Sequence, residues 1–265
     1  PNGEAFRFSA PSGDELPENG FNKGDDVFDP PQADHPGIEV SVHPDSKRLQ
    51  LLTPFKKWDM ADFNNMPVLV KAKGKCTTDH VSPAGPWLRY RGHLDNISNN
   101  MYSGAVNAYN DATAGARTLS PVKRMSKFNQ IARDYKAKGI NWVVIADENY
   151  GEGSSREHAA MEPRHLGCAA IITRSFARIA ENNLKKQGVL PLTFANAADY
   201  DKIQEDDRIA LKGLEQLAPG SNVIMAVSHA DGSSTEIILN HSLSAAQIDW
   251  FRHGSALNMI AAQTA

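Results

Sequence analysis

A turn in the middle of the chain has the residue types of an anion-binding site. Residues 147–159 read Asp-Glu-Asn-Tyr-Gly-Glu-Gly-Ser-Ser-Arg-Glu-His-Ala and follow the apolar run Trp142–Ala146. The two glycines allow a ligand to approach the backbone closely. Arg156 adds a planar, permanently charged guanidinium that suits a carboxylate or a phosphate. The segment therefore indicates chemistry on an anionic ligand.

The same segment predicts the start of a helix. Ser154 with Glu157 three residues later fits a capping box, which places the first helical residue near Ser155. The N–H groups of a first helical turn are unpaired donors with a partial positive charge, so they stabilise an anion. An alternative of equal weight is that Ser154 only caps the helix and Arg156 is a solvated side chain. The pattern matches neither a P-loop nor the nucleophile elbow of hydrolases, which disfavours both classes.

A second polar segment, residues 76–100, combines threonine, aspartate, histidine, serine and arginine with two prolines. The prolines favour a loop over regular structure, and loops on a rigid scaffold often carry binding residues. Asp79 beside His80 could form an acid–base pair, although a turn with a structural histidine is the favoured alternative. Arg91 could bind an anion or pair with Asp95. This segment therefore adds a second group of candidate ligands.

The elements that must position these segments alternate between strands and helices. Apolar and helical spacing predicts strands at 66–70, 142–146, 169–173 and 189–194, and helices at 155–161, 177–186 and 244–253. Asp231-Gly232 between the runs 222–227 and 235–239 predicts a hairpin. The alternating lysines of residues 71–75 are interpreted as the solvated side of a strand. Together the elements predict an α/β fold in which at least part of the sheet is parallel.

Composition argues against several classes of function. Lys+Arg total 28 and Asp+Glu total 31, a net charge of −3, which disfavours a dedicated nucleic-acid binder. Apolar runs fall far short of the roughly 18 residues of a membrane helix, so none is predicted. Two cysteines, Cys76 and Cys168, cannot supply the thiolates of an iron–sulfur cluster, and they favour a reducing compartment.

Proline is concentrated at the start of the chain. Residues 1–48 hold seven of the fifteen prolines and predict an extended linker, with a disordered tail as an equal alternative. Residues 49–265 predict one globular domain. Because the sequence starts at Pro1 without a leader, we expect a mature form or a piece of a longer chain.

Several long runs, in the same order, resemble the C-terminal swivel domain of mitochondrial-type aconitases and the linker before it. The matching runs include Lys73-Gly-Lys-Cys-Thr-Thr-Asp-His80, Gly85-Pro-Trp-Leu88, Arg91-Gly-His-Leu-Asp-Asn-Ile-Ser-Asn-Asn100, residues 147–159 and Trp250-Phe-Arg-His-Gly-Ser-Ala-Leu-Asn258. The resemblance covers about residues 49–260. Glu152 and the run 157–159 are similar to the mitochondrial branch rather than to isopropylmalate isomerases or RNA-regulating aconitases.

This resemblance implies a fold and a reaction. The fold would be a mixed, partly parallel, barrel-like β-sheet flanked by helices. The reaction would be the reversible isomerisation of citrate and isocitrate through cis-aconitate, by dehydration and rehydration, in the mitochondrial matrix. The family uses a 4Fe–4S cluster whose ligands lie in preceding domains. This chain would then hold no metal and would be inactive alone.

The resemblance also implies roles for individual residues and a set of partners. Ser154 would be the base that removes a proton next to a carboxylate. Arg91 would bind a carboxylate and stabilise the serine oxyanion. The other implied substrate-binding residues are Ser155, Arg156, Asp79, Ser82 and Thr78. The implied partners are citrate, isocitrate, cis-aconitate and the cluster-bearing domains, without nucleic acid or membrane.

Other classes of function stay open beside this one. The anion-binding turn could belong to a non-catalytic module that binds an anion or docks a partner. A homoaconitase-type hydratase would use the same residues, because its specificity depends on contacts partly outside this chain. RNA binding is the weakest alternative, since the net charge and the motif variant both disfavour it.

Overall fold

The computed structural model describes residues 3, 6–13, 17–30, 39–113, 115–117, 125–154 and 156–264. Contacts divide the chain into two compact units, Pro1–Ser41 and Val42–Ala265. In the first unit the described residues form bends, turns and irregular backbone with exposed side chains, and Phe6 packs edge-on against Phe8. The boundary between residues 48 and 49 that composition predicts stays a prediction.

The second unit is built around a closed β-barrel. The described strands are β1 Phe63–Lys71, β2 Gly115–Arg117, β3 Met125–Lys127, β4 Trp142–Ala146, β5 Cys168–Thr173, β6 Leu190–Phe194, β7 Arg208–Lys212, β8 Val223–Ser228 and β9 Ser234–Asn240. Seven of them pair in the order β1-β4-β5-β6-β9-β8-β7, and β7 pairs again with β1. Neighbours from β1 to β6 in this order are parallel and the other pairs are antiparallel. β2 and β3 form a separate two-stranded sheet.

Helices and helical turns surround the barrel. The described α-helices are α1 Thr78–Val81, α2 Leu94–Ile97, α3 Phe128–Ala137, α4 His158–His165, α5 Arg178–Lys186, α6 Ala245–His253 and α7 Ala256–Thr264. Short 3₁₀ turns occupy Gly85–Tyr90, Ser98–Asn100, Ala197–Lys202 and Leu214–Gln216. Among the described helices, none has the length and apolar content that a membrane crossing needs.

Alternate residues of the parallel strands belong to two different cores. Val143 and Ile145 of β4 face the barrel interior, while Val144 of the same strand packs in a second apolar cluster. That second cluster includes Phe128 of α3 and Leu184 of α5, so it lies between the strands and the helices. Every residue of β4 is buried. A strand covered on both faces explains the continuous apolar run in the sequence.

The structure confirms the predicted fold class, an α/β fold with a mixed, partly parallel sheet flanked by helices. The four predicted strands correspond to β1, β4, β5 and β6, and the predicted hairpin is β8 and β9. The helix predicted at 177–186 is α5, which ends just before Gly188. Ser244 is the N-cap of α6, as the helix predicted at 244–253 requires, and it forms a capping box with Gln247 that no prediction covered.

The prediction of a loop throughout residues 76–100 was wrong. The segment contains two single-turn α-helices and two 3₁₀ turns. Thr77 caps α1 in a capping box with His80, and Pro86 stands in the first turn of a 3₁₀ helix, where no backbone N–H is needed. Sequence patterns also gave no signal for α3, β7 and α7, which no prediction covered.

Lys71 was interpreted as a solvated strand residue, and that interpretation was wrong. Its side chain is buried, its Nζ donates to the carbonyl of Ile203 (2.9 Å), and it lies 4.4 Å from the centre of the Tyr200 ring. Burial lowers the pKa of this lysine, although nearby carboxylates oppose the effect. The aliphatic part of a lysine can pack in a core when its ammonium finds a carbonyl and a ring face.

Two glycines interlock the ends of α5 and α6. Gly188 has φ +71°, and a Cβ there would overlap the carbonyl oxygen of Gly254. Gly254 has φ +87°, and a Cβ there would overlap the carbonyl oxygen of Lys56. Arg164 of α4 donates to the carbonyls of Gln187, Lys56 and Gly254. The guanidinium therefore joins three backbone segments at a point where side chains cannot fit.

Candidate active site

The carboxyl ends of two neighbouring parallel strands lead into the segments that carry the candidate residues. Thr78, Asp79, Ser82 and Arg91 follow β1, and Ser154 and Arg156 follow β4. Ser155 lies outside the described residues. Ligand sites of α/β sheets lie at this edge, where loops from adjacent strands meet. The topology therefore brings both predicted segments to one side of the barrel.

Backbone hydrogen bonds join the two segments directly. Gly151 donates its N–H to the carbonyl of Cys76 (2.8 Å), and Thr78 donates its N–H to the carbonyl of Glu152 (2.9 Å). Gly151 has φ +78°, and a Cβ there would collide with the Cβ of Ala180 in α5. Only glycine fits such a position. The turn after β4 is thus packed between α1 and α5.

Ser154 is exposed at the end of this turn. It borders a small hollow together with Thr78 and Arg156. The Oγ1 atom of Thr78 is buried and has no hydrogen-bond partner among the described residues. The serine hydroxyl is therefore accessible to a ligand rather than enclosed in the apolar core.

Arg156 connects the turn to the α1 segment through one nitrogen. Its Nη1 donates to Oδ1 of Asp79 (2.6 Å) and to the carbonyl oxygen of Ser82 (2.9 Å). The side chain of Asp79 is 59% exposed, so screening by water keeps this ion pair weak. Nε and Nη2 of Arg156 make no hydrogen bond to the described residues. One edge of the guanidinium stays open for a bidentate anion.

The predicted capping box at Ser154 was wrong. The helix begins three residues later than predicted, at His158, and its N-cap is Glu157, which makes no side-chain capping bond. Gly153 has φ +117° and lies against Thr78, and Arg156 is held by Asp79 and Ser82. Contacts from a distant part of the chain thus hold Gly153 and Arg156 outside the helix.

A buried carboxyl group lies behind the site. Ser82 donates its hydroxyl to Oε1 of Glu162 (2.7 Å), and Glu162 is fully buried in α4. Oε2 of Glu162 has no partner among the described residues. Burial raises the pKa of Glu162 well above its usual value, and the Ser82 hydrogen bond opposes this only partly. Ser82 is thus held at its hydroxyl by Glu162 and at its carbonyl by Arg156.

Glu162→Gln should lessen the fall in stability that the wild-type protein shows as pH rises. The unfolded chain releases the Glu162 proton near the usual pKa of about 4.3, whereas the folded protein retains it to higher pH. Wild-type stability therefore falls as pH rises above about 4, until the raised pKa is passed. Glutamine keeps an acceptor for Ser82 and has no proton to release. In thermal unfolding experiments, the melting temperature of Glu162→Gln minus that of the wild type should increase from pH 5 to pH 8.

The control for this prediction is Glu157→Gln, because Glu157 is an exposed glutamate next to the same helix. Its melting temperature should differ from wild type by a constant amount across the same pH range. Parallel curves for wild type and Glu162→Gln would show that Glu162 is ionised in the folded protein.

Arg91 stands at the end of a 3₁₀ turn with its side chain exposed. Its guanidinium has no hydrogen-bond or ion-pair partner among the described residues. The predicted alternative of a pair with Asp95 is wrong, because Asp95 is bound by Arg133 and His165. The Arg91 carbonyl accepts a hydrogen bond from Nε2 of His158 (2.9 Å). The Arg91 segment is therefore attached to the helix that follows Ser154 and Arg156.

The residues of this chain do not fit an iron–sulfur cluster. Within the described ranges, no group of three or more histidine, cysteine or acidic side chains could hold a metal ion. Cys76 and Cys168 are both buried. Burial raises the pKa of Cys76 to about 12, and it raises the pKa of Cys168 further. Neither thiol is an available thiolate ligand.

Sequence reasoning missed Glu162 and His158 as parts of this site. Glutamate is rarely buried, so its position in a helix gave no sign that it lies under Ser82. His158 contacts a carbonyl 67 residues earlier in the chain. A signal was present for His158 only, since it directly follows the predicted Ser154–Glu157 box.

The fold and the family of this chain follow from comparisons with known proteins. A solved structure of 3-isopropylmalate dehydratase from Methanocaldococcus jannaschii superposes with a TM-score of 0.50 at 18% identity, covering 77% of this chain and 96% of that chain. This similarity shows a shared fold. Residues 66–197 match the family model of the aconitase C-terminal domain, and the chain belongs to that family.

Curated relatives agree with this assignment. Mitochondrial aconitate hydratase of Gracilaria gracilis is 58% identical over 97% of this chain and 33% of that protein. A probable mitochondrial aconitate hydratase of Dictyostelium discoideum is 56% identical over 99% of this chain and 34% of that protein. The Saccharomyces cerevisiae mitochondrial aconitate hydratase is 55% identical over 98% of this chain and 33% of that protein. The chain thus spans about a third of the length of the curated relatives it matches.

Proposed function

We propose that this chain is the C-terminal part of an aconitate hydratase of the mitochondrial matrix. The enzyme would interconvert citrate and isocitrate through cis-aconitate by removing and adding water. Relatives that carry this name are 53–58% identical over nearly the whole chain. The observation that carries the proposal is the exposed Ser154 beside Arg156, whose guanidinium has an open edge.

Ser154 is the proposed base. Its Oγ would take the proton from the carbon next to a substrate carboxylate, the C–H electron pair would form the double bond, and the hydroxyl would leave from the adjacent carbon. A serine hydroxyl is a weak base unless its anion is stabilised. Fixed N–H donors and guanidinium groups supply that stabilisation most effectively where water is excluded. The turn after β4 and the two arginines provide these groups.

The remaining candidate residues would hold the carboxylates and the departing hydroxyl. Arg156 would use its open edge for one carboxylate, while Asp79 and the Ser82 carbonyl keep its Nη1 in place. Arg91 would bind a carboxylate with its exposed guanidinium. We assign the other contacts to Ser155, Asp79, Ser82 and Thr78. The buried Oγ1 of Thr78, which lacks a described partner, fits this assignment because a bound hydroxyl would satisfy it.

We place the 4Fe–4S cluster of the family in the two thirds of the enzyme outside this chain. When bound there, it would supply a Lewis acid for the substrate hydroxyl. The partners of this chain would then be the cluster-bearing domains and the three tricarboxylates. Neither a nucleic acid nor a membrane belongs to the proposal.

The test is an assay of the longer protein that contains this chain, loaded with its cluster. We expect citrate and isocitrate to interconvert with cis-aconitate as an intermediate, and the isolated chain to form no detectable cis-aconitate. The described residues of this chain offer no set of cluster ligands, so turnover should require the remaining domains as well. Turnover by the isolated chain would contradict the division of labour.

The same assay separates the alternatives. A loaded full-length protein that binds citrate without converting it would favour a non-catalytic anion-binding module. Homocitrate turnover at a higher kcat/KM than citrate turnover would favour the homoaconitase-type alternative.

A further inference from the structure

The segment that carries Arg91 is attached to α4 at two points. Nε2 of His158 lies 2.9 Å from the carbonyl oxygen of Arg91. Nε2 of His165 lies 3.0 Å from Oδ1 of Asp95. A carbonyl and a carboxylate can only accept, so both imidazoles donate through Nε2. We call these two contacts the histidine clasp.

The spacing of the clasp matches two turns of a helix. His158 is the first residue of α4 and His165 is the last, seven positions later, so the two side chains lie on one face. Their acceptors, Arg91 and Asp95, are four positions apart on either side of the His93 cap of α2. Two contacts at matched spacing fix both the position and the direction of the segment relative to α4.

The contact between His165 and Asp95 is reinforced by Arg133 of α3. Arg133 donates to Oδ1 of Asp95 (2.7 Å) and to its carbonyl (2.6 Å), and also to Asn99. Partial burial alone raises the pKa of Asp95, but hydrogen bonds from Arg133 and His165 lower it to about 2. Asp95 is therefore charged at neutral pH and holds α2, α3 and α4 together.

The contact between Nε2 of His158 and the Arg91 carbonyl has no such reinforcing arginine among the described residues. The Arg91 guanidinium has no partner among the described residues, so its position depends on its own backbone. The Arg91 N–H donates to the carbonyl of Leu88 (3.3 Å), and the next residue, Gly92, pairs with Leu49 and accepts from the N–H of Gln50 (2.8 Å). Among the described side chains, His158 is the one that holds the Arg91 carbonyl itself. His158 lies on the helix that directly follows Ser154 and Arg156. It is the side chain that ties Arg91 to the other half of the site.

We propose that His158 is a positioning residue for Arg91, which sets the distance between the Arg91 guanidinium and the Ser154–Arg156 turn through the Arg91 carbonyl. This inference rests on the proposed function. It predicts that loss of the imidazole donor weakens binding of a tricarboxylate and also lowers kcat. Binding weakens because the Arg91 carboxylate contact is made in the ground state, and kcat falls because Arg91 would also stabilise the Ser154 anion.

The experiment compares variants of the full-length, cluster-loaded enzyme with citrate as substrate. His158→Phe keeps a ring of similar shape without a donor, and His158→Gln restores an N–H donor. We expect His158→Phe to raise KM about tenfold, the size of one lost hydrogen bond, and also to lower kcat, because a displaced Arg91 would stabilise the Ser154 anion less well. His158→Gln should recover most of the loss. His253→Ala is the matched control, because that imidazole also contacts a backbone carbonyl, within α6.

A double-variant cycle tests whether His158 acts through Arg91. In an Arg91→Ala background, His158→Phe should change KM by less than about twofold, because the group it positions is gone. Hydrogen exchange of residues 85–97 should quicken in His158→Phe and stay at the wild-type rate in His158→Gln and His253→Ala. Equal effects of His158→Phe in both backgrounds, or an unchanged KM with unchanged exchange, would overturn the inference.

The outcomes also separate this inference from the proposed function. If Arg91→Ala raises KM strongly and His158→Phe does not, only the positioning role fails. If Arg91→Ala leaves citrate turnover at wild-type values, the proposed role of Arg91 in the site fails, and the positioning role of His158 fails with it. Should His158→Phe not fold, the exchange rates and KM of His158→Gln and of His158→Asn, whose shorter amide cannot reach the Arg91 carbonyl, decide the question.

Discussion

Ser154→Ala in the full-length, cluster-loaded enzyme should reduce kcat by at least about a thousandfold, within the range for losing a general base. The hydroxyl is exposed beside Arg156 and borders the hollow that Thr78 lines. Turnover is measured with citrate and with isocitrate, because Ser154 would act as the base on both substrates.

Citrate should still bind to the Ser154→Ala enzyme. Its carboxylates contact Arg91 and Arg156 in the proposed site, and the alanine removes neither. The dissociation constant, measured by calorimetry or by a ligand-induced spectral change, should stay within about threefold of wild type. This separates a base from a binding group, since loss of a binding contact appears in affinity rather than in kcat alone.

Ser103→Ala provides the control for the loss of a serine hydroxyl. Ser103 is exposed in a turn elsewhere in the same unit. The Ser103→Ala enzyme should retain the wild-type kcat and KM. A Ser154→Ala enzyme that keeps kcat within about tenfold, or that loses citrate binding while bound substrate reacts normally, would contradict the proposed base.

Gly188→Ala should lower the free energy of unfolding by about 2–5 kcal/mol. The left-handed φ of +71° costs an alanine about 1–2 kcal/mol. The added Cβ would also overlap the carbonyl oxygen of Gly254, which is backbone and is held by Arg164. Forcing atoms into a closely packed site typically costs a further 1–3 kcal/mol. Denaturant unfolding measures the change, with the slope checked for constancy.

Gly139→Ala is a closely matched control for the second prediction. Gly139 follows α3 as Gly188 follows α5, and its φ is +68°, but a Cβ there meets nothing within 4 Å. The free energy of unfolding of Gly139→Ala should fall only by the cost of the left-handed backbone, about 1–2 kcal/mol. The difference between the two variants measures the collision. Equal losses in both would mean that the ends of α5 and α6 can move apart at little cost.

The sequence correctly predicted the elements that leave a simple local pattern, such as a continuous apolar run. Trp142–Ala146 is buried on both faces, and its apolar run has the same bounds as the strand. Ser244 is the N-cap of its helix, as the sequence predicts, and it forms a capping box with Gln247 that no prediction covered. The capping box predicted for Ser154 and Glu157 does not form. The difference is physical, because Ser244 is free to cap its helix while Gly153 and Arg156 are held by the α1 segment.

Pairings between distant residues could not be predicted in the same way. The sequence singled out Arg156, Asp79 and Ser82 as candidates, but nothing local indicates that one Arg156 nitrogen is shared by the other two. Glu162 was missed because its charge type suggests solvent, and only the tertiary structure buries it. The residue types of the site were legible from the sequence. Their mutual contacts needed the barrel that brings β1 and β4 side by side.

The closure of the seven-stranded sheet has a consequence for the protein at high concentration. Because β7 pairs back onto β1, each of these strands has a hydrogen-bonded neighbour on both sides. A foreign strand therefore finds no strand of this sheet with a wholly unpaired edge. Among the described strands, fibril-like self-assembly would begin more readily at the small β2–β3 ribbon than on the closed barrel, so unfolding of the barrel should promote aggregation at high concentration.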